Sequence, residues 1–221
     1  MTEPRDAILF DIDGTLVDST YHHALAWHRA FTRHDVDVPM WRVHRTIGMG
    51  GDKLVGVVAG DEIENELGDA LRDAWSEEYA EIETEVDPFP AAADLVRRLV
   101  DAGYLVALAS SGEKGFSKNA VASLGVGDQV HTLVTSADVE DSKPEPDLIG
   151  VTLEKVRPAR AVFVGDTPYD VEAADRAGLR CVALLTGGFS RRELEEAGAA
   201  LVVESLTELD DTDWSSLMKE C

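Results

Sequence analysis

Two aspartates lie one residue apart at the end of the first apolar segment. Residues 7–10 are all apolar, Asp11 follows them directly, and Asp13 precedes a Gly-Thr turn. A short apolar run bounded by turn residues is typical of a buried strand. Two carboxylates this close repel each other unless a cation or a shared proton relieves the charge. A turn rich in Asp and Gly is common at strand ends, but it does not account for both acids, so we favour a functional role.

Polar residues of other kinds follow three more apolar segments. Ser110 follows the second predicted strand, Lys143 lies in the polar loop after the third, and Asp166 follows the fourth. Asp170 comes four residues later, in the first turn of a helix that Thr167 is suited to cap. In a parallel sheet the carboxyl ends of the strands meet at one edge, so we expect these side chains to converge there.

A group of three or four acids with one lysine is typical of a site for a hard divalent cation. Carboxylate oxygens and water are the ligands that Mg²⁺ takes, and such sites often bind phosphate as well. No Cys or His accompanies these acids in the sequence segments concerned, which disfavours a soft metal. We therefore predict Mg²⁺ as the cofactor.

The pattern of predicted elements divides the chain into two parts. Residues 20–86 show helices only, chiefly 21–34 and 62–82, whereas strands alternate with helices from residue 87 onward. Such alternation predicts a parallel sheet with helices on both faces. We predict an α/β core formed by 1–19 and 87–221, with 20–86 as a small all-helical cap inserted after the first strand. The other predicted core elements are strands at 105–109, 131–135, 161–165, 180–185 and 200–203, and helices beginning at Pro90, Leu148 and Pro168. Ser117 is predicted to cap a further helix that runs to Leu124.

Composition excludes several classes of partner. The chain has 221 residues, 44% of them hydrophobic, and 43 acids against 20 Lys and Arg, for a net charge of −23. This charge would repel nucleic acid and anionic membranes. The acids are spread along the chain, and we hypothesise that they keep the protein soluble in a high-salt habitat. We see no signal peptide or membrane-spanning segment and expect a cytoplasmic location. We do not expect a disulfide between Cys181 and Cys221.

Together these residues resemble the four motifs of the haloacid dehalogenase superfamily. The matching segments are 11–19, Ser110, 143–144 and 165–170, in the superfamily's order. More narrowly, they resemble its phosphatases with a helical cap inserted after the first motif, in the phosphoglycolate phosphatase and β-phosphoglucomutase group. The resemblance spans the whole chain and implies a Rossmann-like core.

The resemblance implies catalytic roles for four residues. Asp11 would attack phosphorus and form an aspartyl-phosphate, and Asp13 would first protonate the leaving group and then activate water. Lys143 would neutralise charge on Asp11 and the phosphoryl oxygens, and Ser110 would hydrogen-bond the phosphoryl group. Taken by itself, Lys143 would be interpreted as an exposed loop lysine, and Ser110 as a turn residue at a strand end. Because the other motifs are present, we favour a catalytic role for both.

The resemblance also implies a set of metal ligands. Mg²⁺ would be held by Asp11, the backbone carbonyl of Asp13 and Asp166, with Asp170 acting directly or through water. Asp170 could also serve only as a favourable charge at its helix N-terminus.

The cap is expected to close over the site and select a small phosphorylated metabolite. Its glycine-rich loop is the candidate element that contacts substrate, although a plain turn is an alternative. Arg45 could meet a substrate anion, yet most helix arginines are solvated, and His23 lies near the hinge, where the mutase branch carries a similar histidine. The candidate substrate-contacting residues are Ser111, Gly14, Thr15, His23, Arg45, Gly48, Gly50 and Gly51.

Two other functions remain open from the sequence. In a β-phosphoglucomutase-like mutase, basic cap residues hold a second phosphate, but Gly51 stands where that branch places arginine, and Lys53 is the only lysine in 20–86. A catalytically silent phosphate-binding module is the second alternative. Asp13 disfavours dehalogenase activity. We expect a monomer, with a dimer as the alternative.

Overall fold

The computed structural model describes residues 5–221, and a mostly parallel sheet lies at its centre. Within those residues the strand order is β3-β2-β1-β4-β5-β6, with β7 antiparallel to β4. The strands are β1 (Ala7–Phe10), β2 (Leu105–Ala109), β3 (Thr132–Val134), β4 (Arg160–Gly165), β5 (Cys181–Leu184), β6 (Leu201–Val203) and β7 (Lys219–Glu220). The α-helices are α1 (Thr20–Arg33), α2 (Met40–His44), α3 (Gly51–Ala59), α4 (Asp61–Ile82), α5 (Ala92–Asp101), α6 (Lys114–Leu124), α7 (Asp147–Val156), α8 (Pro168–Arg176), α9 (Arg191–Ala197) and α10 (Trp214–Leu217).

Helices cover both faces of the sheet, as the alternating pattern predicts. Successive residues of a strand point to opposite faces, so Phe10 packs in a cluster with Leu95 of α5, while Leu9 packs in another with Leu148 of α7 and Val171 of α8. β1 lies between β2 and β4 and is buried along its whole length. Strands buried on both faces are apolar throughout. The α/β fold with a parallel sheet is therefore confirmed.

The helices α1 to α4, which follow β1, have a core of their own. α4 packs against both α1 and α3. Trp27 and Phe31 of α1, Leu54 of α3 and Leu71 of α4 are buried together in one cluster. All four of the helices α1 to α4 lie within 20–86, and the division of the chain into core and cap stays our proposal.

Several elements differ from the sequence-based predictions. α3 was not predicted, because its sequence contains two glycines and three valines, which are poor helix formers; the buried residues Leu54, Val55 and Val58 hold it in the cap core. α5 begins at Ala92 rather than at Pro90. α9, α10 and β7 also had no prediction.

The predicted cap of α6 was wrong. Ser117 lies inside the helix, which begins three residues earlier, and its hydroxyl donates to the carbonyl of Glu113 at 3.1 Å. At an N-cap, a serine hydroxyl accepts a hydrogen bond from a backbone amide further along the chain, whereas inside a helix it can donate one to a preceding backbone carbonyl. Sequence alone does not separate the two.

Both cysteines are free: Cys181 is buried in β5, as expected, and Cys221 is exposed. Among the helices of residues 5–221, none combines the length and the apolar character needed to cross a bilayer. The cytoplasmic location stays a prediction.

Candidate active site

The register of the central strands brings three of the candidate residues to one edge. Phe10 lies opposite Leu108 of β2 and Val164 of β4. Asp11 and Asp166 therefore emerge side by side from neighbouring strands, and the amide of Asp11 donates to the carbonyl of Val164 at 2.9 Å. The neighbouring β2 ends close by, just before Ser110.

Lys143 binds two of the aspartates. Its Nζ lies 2.5 Å from Oδ1 of Asp11 and 2.7 Å from Oδ1 of Asp170. The lysine is 1% exposed although it lies in a loop. Burial disfavours its charge, but the two carboxylates outweigh this and raise the pKa of Lys143. The ammonium group is therefore charged and fixed beside Asp11.

Asp170 is held rigidly at the start of α8. Its Oδ2 accepts hydrogen bonds from the amide of Thr167 at 3.0 Å and from the hydroxyl of Thr167 at 2.8 Å, so the two residues form a capping box. This leaves Oδ1 directed at Lys143. Asp170 thus serves at the helix N-terminus and also contacts Lys143, and its role toward a metal stays a prediction.

Three buried aspartates form a group that fits a metal ion. One oxygen from each of Asp11, Asp166 and Asp170 lies within 4.8 Å of the others. Thr15 donates to Oδ1 of Asp166 at 2.9 Å, but the other oxygen, Oδ2, is buried and accepts no hydrogen bond within residues 5–221. A buried oxygen without a donor is costly unless a cation binds it.

The pKa values of this group also favour binding of a cation. Burial raises the pKa of Asp11 to about 7, with Lys143 opposing the rise and Asp170 adding to it. Burial and the nearby charges of Asp170 and Asp11 raise the pKa of Asp166 well above its usual range. An oxygen-only donor set of this kind suits a hard divalent cation.

Gly14 gives the chain room to turn beside these carboxylates. Its φ is +78°, a region that favours glycine, and a Cβ there would collide with Oδ2 of Asp166. The amide of Gly14 donates to the carbonyl of Val17 at 2.9 Å, which closes the turn. Gly14 and Thr15 therefore shape the site, and neither lines the cavity described below.

Asp13 has a different environment from Asp11. Its Oδ1 contacts Nε2 of His23 at 2.9 Å and accepts from the hydroxyl of Ser19 at 2.8 Å, while Oδ2 accepts from the hydroxyl of Ser110 at 3.2 Å. Burial disfavours the carboxylate, but the charge and hydrogen bond of His23, with the two serines, lower the pKa of Asp13 to about 2.

Ser110 is fully buried and lies beneath the cavity rather than in its wall. It donates to Asp13 and accepts from the amide of Gly112 at 2.9 Å. The next two residues, Ser111 and Gly112, line the cavity instead. The structure thus gives Ser110 a contact with Asp13 that the sequence did not anticipate.

A cavity of about 580 Å³ opens between the core and the cap. Asp11 and Asp13 line it from the core, and Trp27, Arg72 and Trp75 line it from cap helices. A volume of this size suits a small metabolite. Arg72 and the tryptophans were not among the candidates, because nothing in the sequence separates a helix arginine or tryptophan over a cavity from a surface or core one.

The glycine-rich loop contacts the core closely. Gly48 has a φ of +108° and lies so close to Thr167 that a Cβ at position 48 would be 2.7 Å from the threonine hydroxyl oxygen. The amide of Gly50 donates to the hydroxyl of Ser142 at 3.0 Å. Gly48 and Gly51 line the cavity. Gly51, however, begins α3 and packs against Trp27 instead of belonging to the loop.

Arg45 corrects one expectation. Its guanidinium pairs with Glu193 of α9 at 2.6 Å and stacks over the ring of Phe189 at 4.2 Å. It is not among the cavity-lining residues. Arg45 therefore connects the segment after α2 to the core helix α9.

The parallel sheet, the aspartates at its carboxyl edge and the cap over them define an α/β enzyme fold with a metal-type acidic site. The family model described as haloacid dehalogenase-like hydrolase matches residues 8–184. The chain belongs to this family, and the resemblance found in the sequence is confirmed.

Individual relatives agree with this assignment. The chain is 29% identical to phosphoglycolate phosphatase 1 of Pseudomonas aeruginosa over 212 residues, which cover 91% of this chain and 77% of that protein. A solved hydrolase from Pseudomonas syringae is 30% identical, with a TM-score of 0.88 over 93% of this chain and 96% of that one. A putative β-phosphoglucomutase from Bacteroides vulgatus is 25% identical, with a TM-score of 0.81 over 91% and 84% of the two chains.

Proposed function

We propose that the chain is a Mg²⁺-dependent phosphomonoester hydrolase that acts on a small phosphorylated metabolite through an aspartyl-phosphate on Asp11. The observation that carries this is the position of Asp11: it lines the cavity, binds Lys143 at 2.5 Å, and has an oxygen within 4.8 Å of one from Asp166. Phosphatase relatives over most of the chain support the same reaction.

In the first step, a carboxylate oxygen of Asp11 attacks phosphorus in line. The oxygen–phosphorus bond to Asp11 forms as the bond to the leaving alkoxide breaks. Lys143 offsets the negative charge shared by the carboxylate and the phosphoryl oxygens, because its ammonium is already fixed against Asp11.

The leaving oxygen takes a proton from Asp13. With a pKa of about 2, Asp13 is ionised in the resting site, so it needs a proton before it can act as the acid. Of its hydrogen-bonded partners His23, Ser19 and Ser110, the imidazole is the group suited to supply one, and its Nε2 lies 2.9 Å from Oδ1. Asp13 then passes the proton on to the alkoxide as its charge develops.

In the second step, the ionised Asp13 removes a proton from a water molecule that attacks phosphorus. The bond from phosphorus to Asp11 breaks, inorganic phosphate forms, and the Asp11 carboxylate is restored. A low pKa suits this base role, because the carboxylate is free of its proton over the whole neutral range.

Asp11 and Asp166 are the residues that would hold Mg²⁺, with the carbonyl of Asp13 and, directly or through water, Asp170. When bound, the ion supplies positive charge that lets the phosphate and Asp11 approach each other. Thr15, which donates to Asp166, and Thr167, which fixes Asp170, keep these carboxylates in place.

The experiment is Mg²⁺-dependent release of phosphate from p-nitrophenyl phosphate. We expect turnover in the wild type and its loss in Asp11→Asn, which keeps the side-chain shape but removes the nucleophile. A matched control is Asp101→Asn, an exposed aspartate at the end of α5, which should retain full activity. A folded, metal-binding protein with no turnover of any phosphomonoester would contradict the proposal and favour a phosphate-binding module.

The mutase alternative has little support from the cavity. The cap lysine Lys53 pairs with Asp141 at 3.4 Å and Glu145 at 3.8 Å, and the N-terminus of α3 carries Gly51 against Trp27. Conversion of one sugar phosphate into its isomer without net phosphate release would establish the mutase instead.

A further inference from the structure

Lys143, which binds the proposed nucleophile, lies in a loop that contains no helix or strand. The loop comprises residues 139–146 and leads into α7. Such a segment lacks the regular backbone hydrogen bonds that fix a helix or strand, so its position depends on the elements packed against it. Nζ of Lys143 is nevertheless held 2.5 Å from Asp11 and 2.7 Å from Asp170. Contacts from other elements therefore contribute to the position of this lysine.

The start of α3 contacts Ser142, the residue before Lys143, in two ways. The amide of Gly50 donates to the hydroxyl of Ser142 at 3.0 Å, and the amide of Ser142 donates to Oδ2 of Asp52 at 3.3 Å. Ser142 is 2% exposed, so losing either partner would leave a buried polar group unsatisfied. The backbones are also close, because a Cβ on Gly50 would lie 2.5 Å from Cβ of Ser142. Two hydrogen bonds in opposite directions thus join α3 to the loop.

Lys53, the next residue of α3, contacts the loop on both sides of Lys143. Its Nζ lies 3.4 Å from a carboxylate oxygen of Asp141 and 3.8 Å from one of Glu145. The side chains of these acids are 59% and 41% exposed, and exposed ion pairs contribute little to stability. They nevertheless extend the contact of α3 along the loop from residue 141 to residue 145.

The core holds the other side of the loop. Arg176 of α8 donates to the carbonyl of Pro144 at 3.2 Å and pairs with Glu145 at 2.8 Å. α8 also carries Asp170, so this contact keeps the loop beside one of the two carboxylates that Lys143 binds. The residue after Lys143 is therefore held by the core, and the residue before it is held by the cap.

Building on the proposed phosphatase function, we propose that Asp52 and Ser142 are positioning residues that hold Lys143 against Asp11. With the cap packed on the core, α3 fixes the loop, and the ammonium group lies where negative charge develops on the phosphoryl group. In this role neither residue touches the reacting atoms, and each acts through the backbone of the loop. Packing of the cap on the core therefore also completes the pair of Lys143 and Asp11.

Retention of substrate is the competing explanation of these contacts. Asp52 and Ser142 both line the cavity, so their hydrogen bonds would then serve only to keep the cap over a bound substrate. The two explanations differ in the kinetic constant that they affect. A contact that only retains substrate changes KM, whereas a contact that positions Lys143 acts on charge that develops in the transition state and therefore changes kcat.

The first test separates the hydrogen bond of Asp52 from its charge. Asp52→Ala and Asp52→Asn both remove the charge, but only asparagine keeps an oxygen that can accept from the amide of Ser142. With p-nitrophenyl phosphate and Mg²⁺, we expect kcat to fall about tenfold in Asp52→Ala, with KM within about twofold of the wild-type value. Asp52→Asn should recover most of the lost kcat. Ser142→Ala should resemble Asp52→Ala, because it leaves the amide of Gly50 without its acceptor.

Asp61→Ala is the matched control. Asp61 also lies in the first turn of a cap helix, α4, but it is exposed and does not line the cavity. Its kinetic constants should equal those of the wild type. Equal kcat in Asp52→Ala and Asp52→Asn, or a change confined to KM, would overturn the inference.

The second test observes Lys143 directly and needs no turnover. Because Lys143 is 1% exposed and binds two carboxylates, its ammonium protons should exchange slowly enough to give a proton–nitrogen NMR signal in protein made with isotope-labelled lysine. Lys143→Met identifies the signal by its absence. In the presence of Mg²⁺ the signal should shift or disappear in Asp52→Ala and keep its wild-type position in Asp52→Asn. An unchanged signal in Asp52→Ala overturns the inference, whereas a wild type that is inert toward every phosphomonoester contradicts the proposed function alone.

Discussion

His23 of the cap contacts Asp13 of the core, with Nε2 2.9 Å from Oδ1. The imidazole also stacks on the ring of Tyr79 in α4, with 4.1 Å between centroids and 9° between planes. α1 carries the histidine and α4 supports it, so two cap helices together set the environment of a core carboxylate. The acid–base properties of Asp13 therefore depend on how the cap lies over the core.

Replacing His23 by alanine should raise the pKa of Asp13. The charge and hydrogen bond of the imidazole disappear, while the partial burial that disfavours the carboxylate remains. The pKa then moves from about 2 toward or above the ordinary 3.8. The acidic limb of the kcat–pH profile with p-nitrophenyl phosphate should move to higher pH, and kcat should fall by roughly 10²-fold because the proton donor to Asp13 is lost.

His22→Ala is the control for this prediction. His22 is the neighbouring residue of α1, and its Nδ1 contacts the carbonyl of Asp18 at 3.0 Å instead of Asp13. Its profile should match that of the wild type. If His23→Ala lowered kcat equally at every pH, with no movement of the acidic limb, the coupling between the two residues would be refuted.

The metal-free protein should lose stability as the pH rises from about 4 to about 7. Asp11, with a pKa of about 7, and Asp166, also raised, keep protons in the folded state that the unfolded chain has released in this window. The folded state then binds more protons than the unfolded state, so the free energy of unfolding falls as pH rises. For Asp11 alone the loss is on the order of 4 kcal/mol. Urea denaturation in a chelator measures it.

Two comparisons sharpen the measurement. Asp166→Asn should flatten the decline and stabilise the metal-free protein near pH 7, whereas Asp101→Asn, on the exposed end of α5, should leave the slope unchanged. Mg²⁺ at a hundred times its dissociation constant should add about 2.7 kcal/mol to the wild type and much less to Asp166→Asn. A metal-free wild type whose stability rises over this pH range would be inconsistent with the raised pKa values.

The sequence predicted the position of the acids at the sheet edge for a clear physical reason. Each apolar run ends where its strand ends, and parallel register then places Asp11 beside Asp166. The contacts of Lys143 were expected only through the family resemblance, since nothing local in a polar loop indicates a lysine that is 1% exposed. The catalytic and metal roles themselves remain predictions.

The cap was less predictable because its contacts depend on helix packing. Arg45 and Arg72 both lie on or beside helices and have similar sequence surroundings, yet Arg72 lines the cavity and Arg45 pairs with Glu193 of the core. α3, poor in helix formers, exists because α4 and α1 bury its apolar face. Propensity and periodicity describe single elements and do not report these long-range contacts.

The protein should be more stable in concentrated KCl than in dilute buffer. The net charge is −23, so the acidic side chains repel one another in the folded state. Raising KCl from roughly 0.01 M to roughly 1 M shortens the Debye length from about 30 Å to about 3 Å, which weakens this repulsion. Exposed ion pairs weaken as well, but each contributes little. Urea denaturation at both salt concentrations tests this. The difference in the free energy of unfolding between the two salt concentrations should shrink near pH 3, where many carboxylates are protonated. Maximal stability in dilute buffer would argue against a high-salt habitat.

Gly48→Ala should impair catalysis, whereas Gly60→Ala should not. Both glycines have positive φ, +108° and +93°, so each alanine costs about 1–3 kcal/mol in backbone strain. Only at Gly48 would the new Cβ also press on the core, 2.7 Å from the hydroxyl oxygen of Thr167; at Gly60 nothing lies within 4 Å. Thr167 is the N-cap residue of α8 and holds Asp170 through a 2.8 Å hydrogen bond. Gly48→Ala therefore disturbs the packing of the helical segment 20–86 on the core, and also the contact between Asp170 and Lys143. We expect kcat/KM for p-nitrophenyl phosphate to fall at least tenfold in Gly48→Ala and to stay near the wild-type value in Gly60→Ala. Gly48→Ala should also lose more stability than Gly60→Ala, because only its Cβ presses on the core. Equal activity in the two variants would mean that the glycine loop does not need to approach the core during turnover.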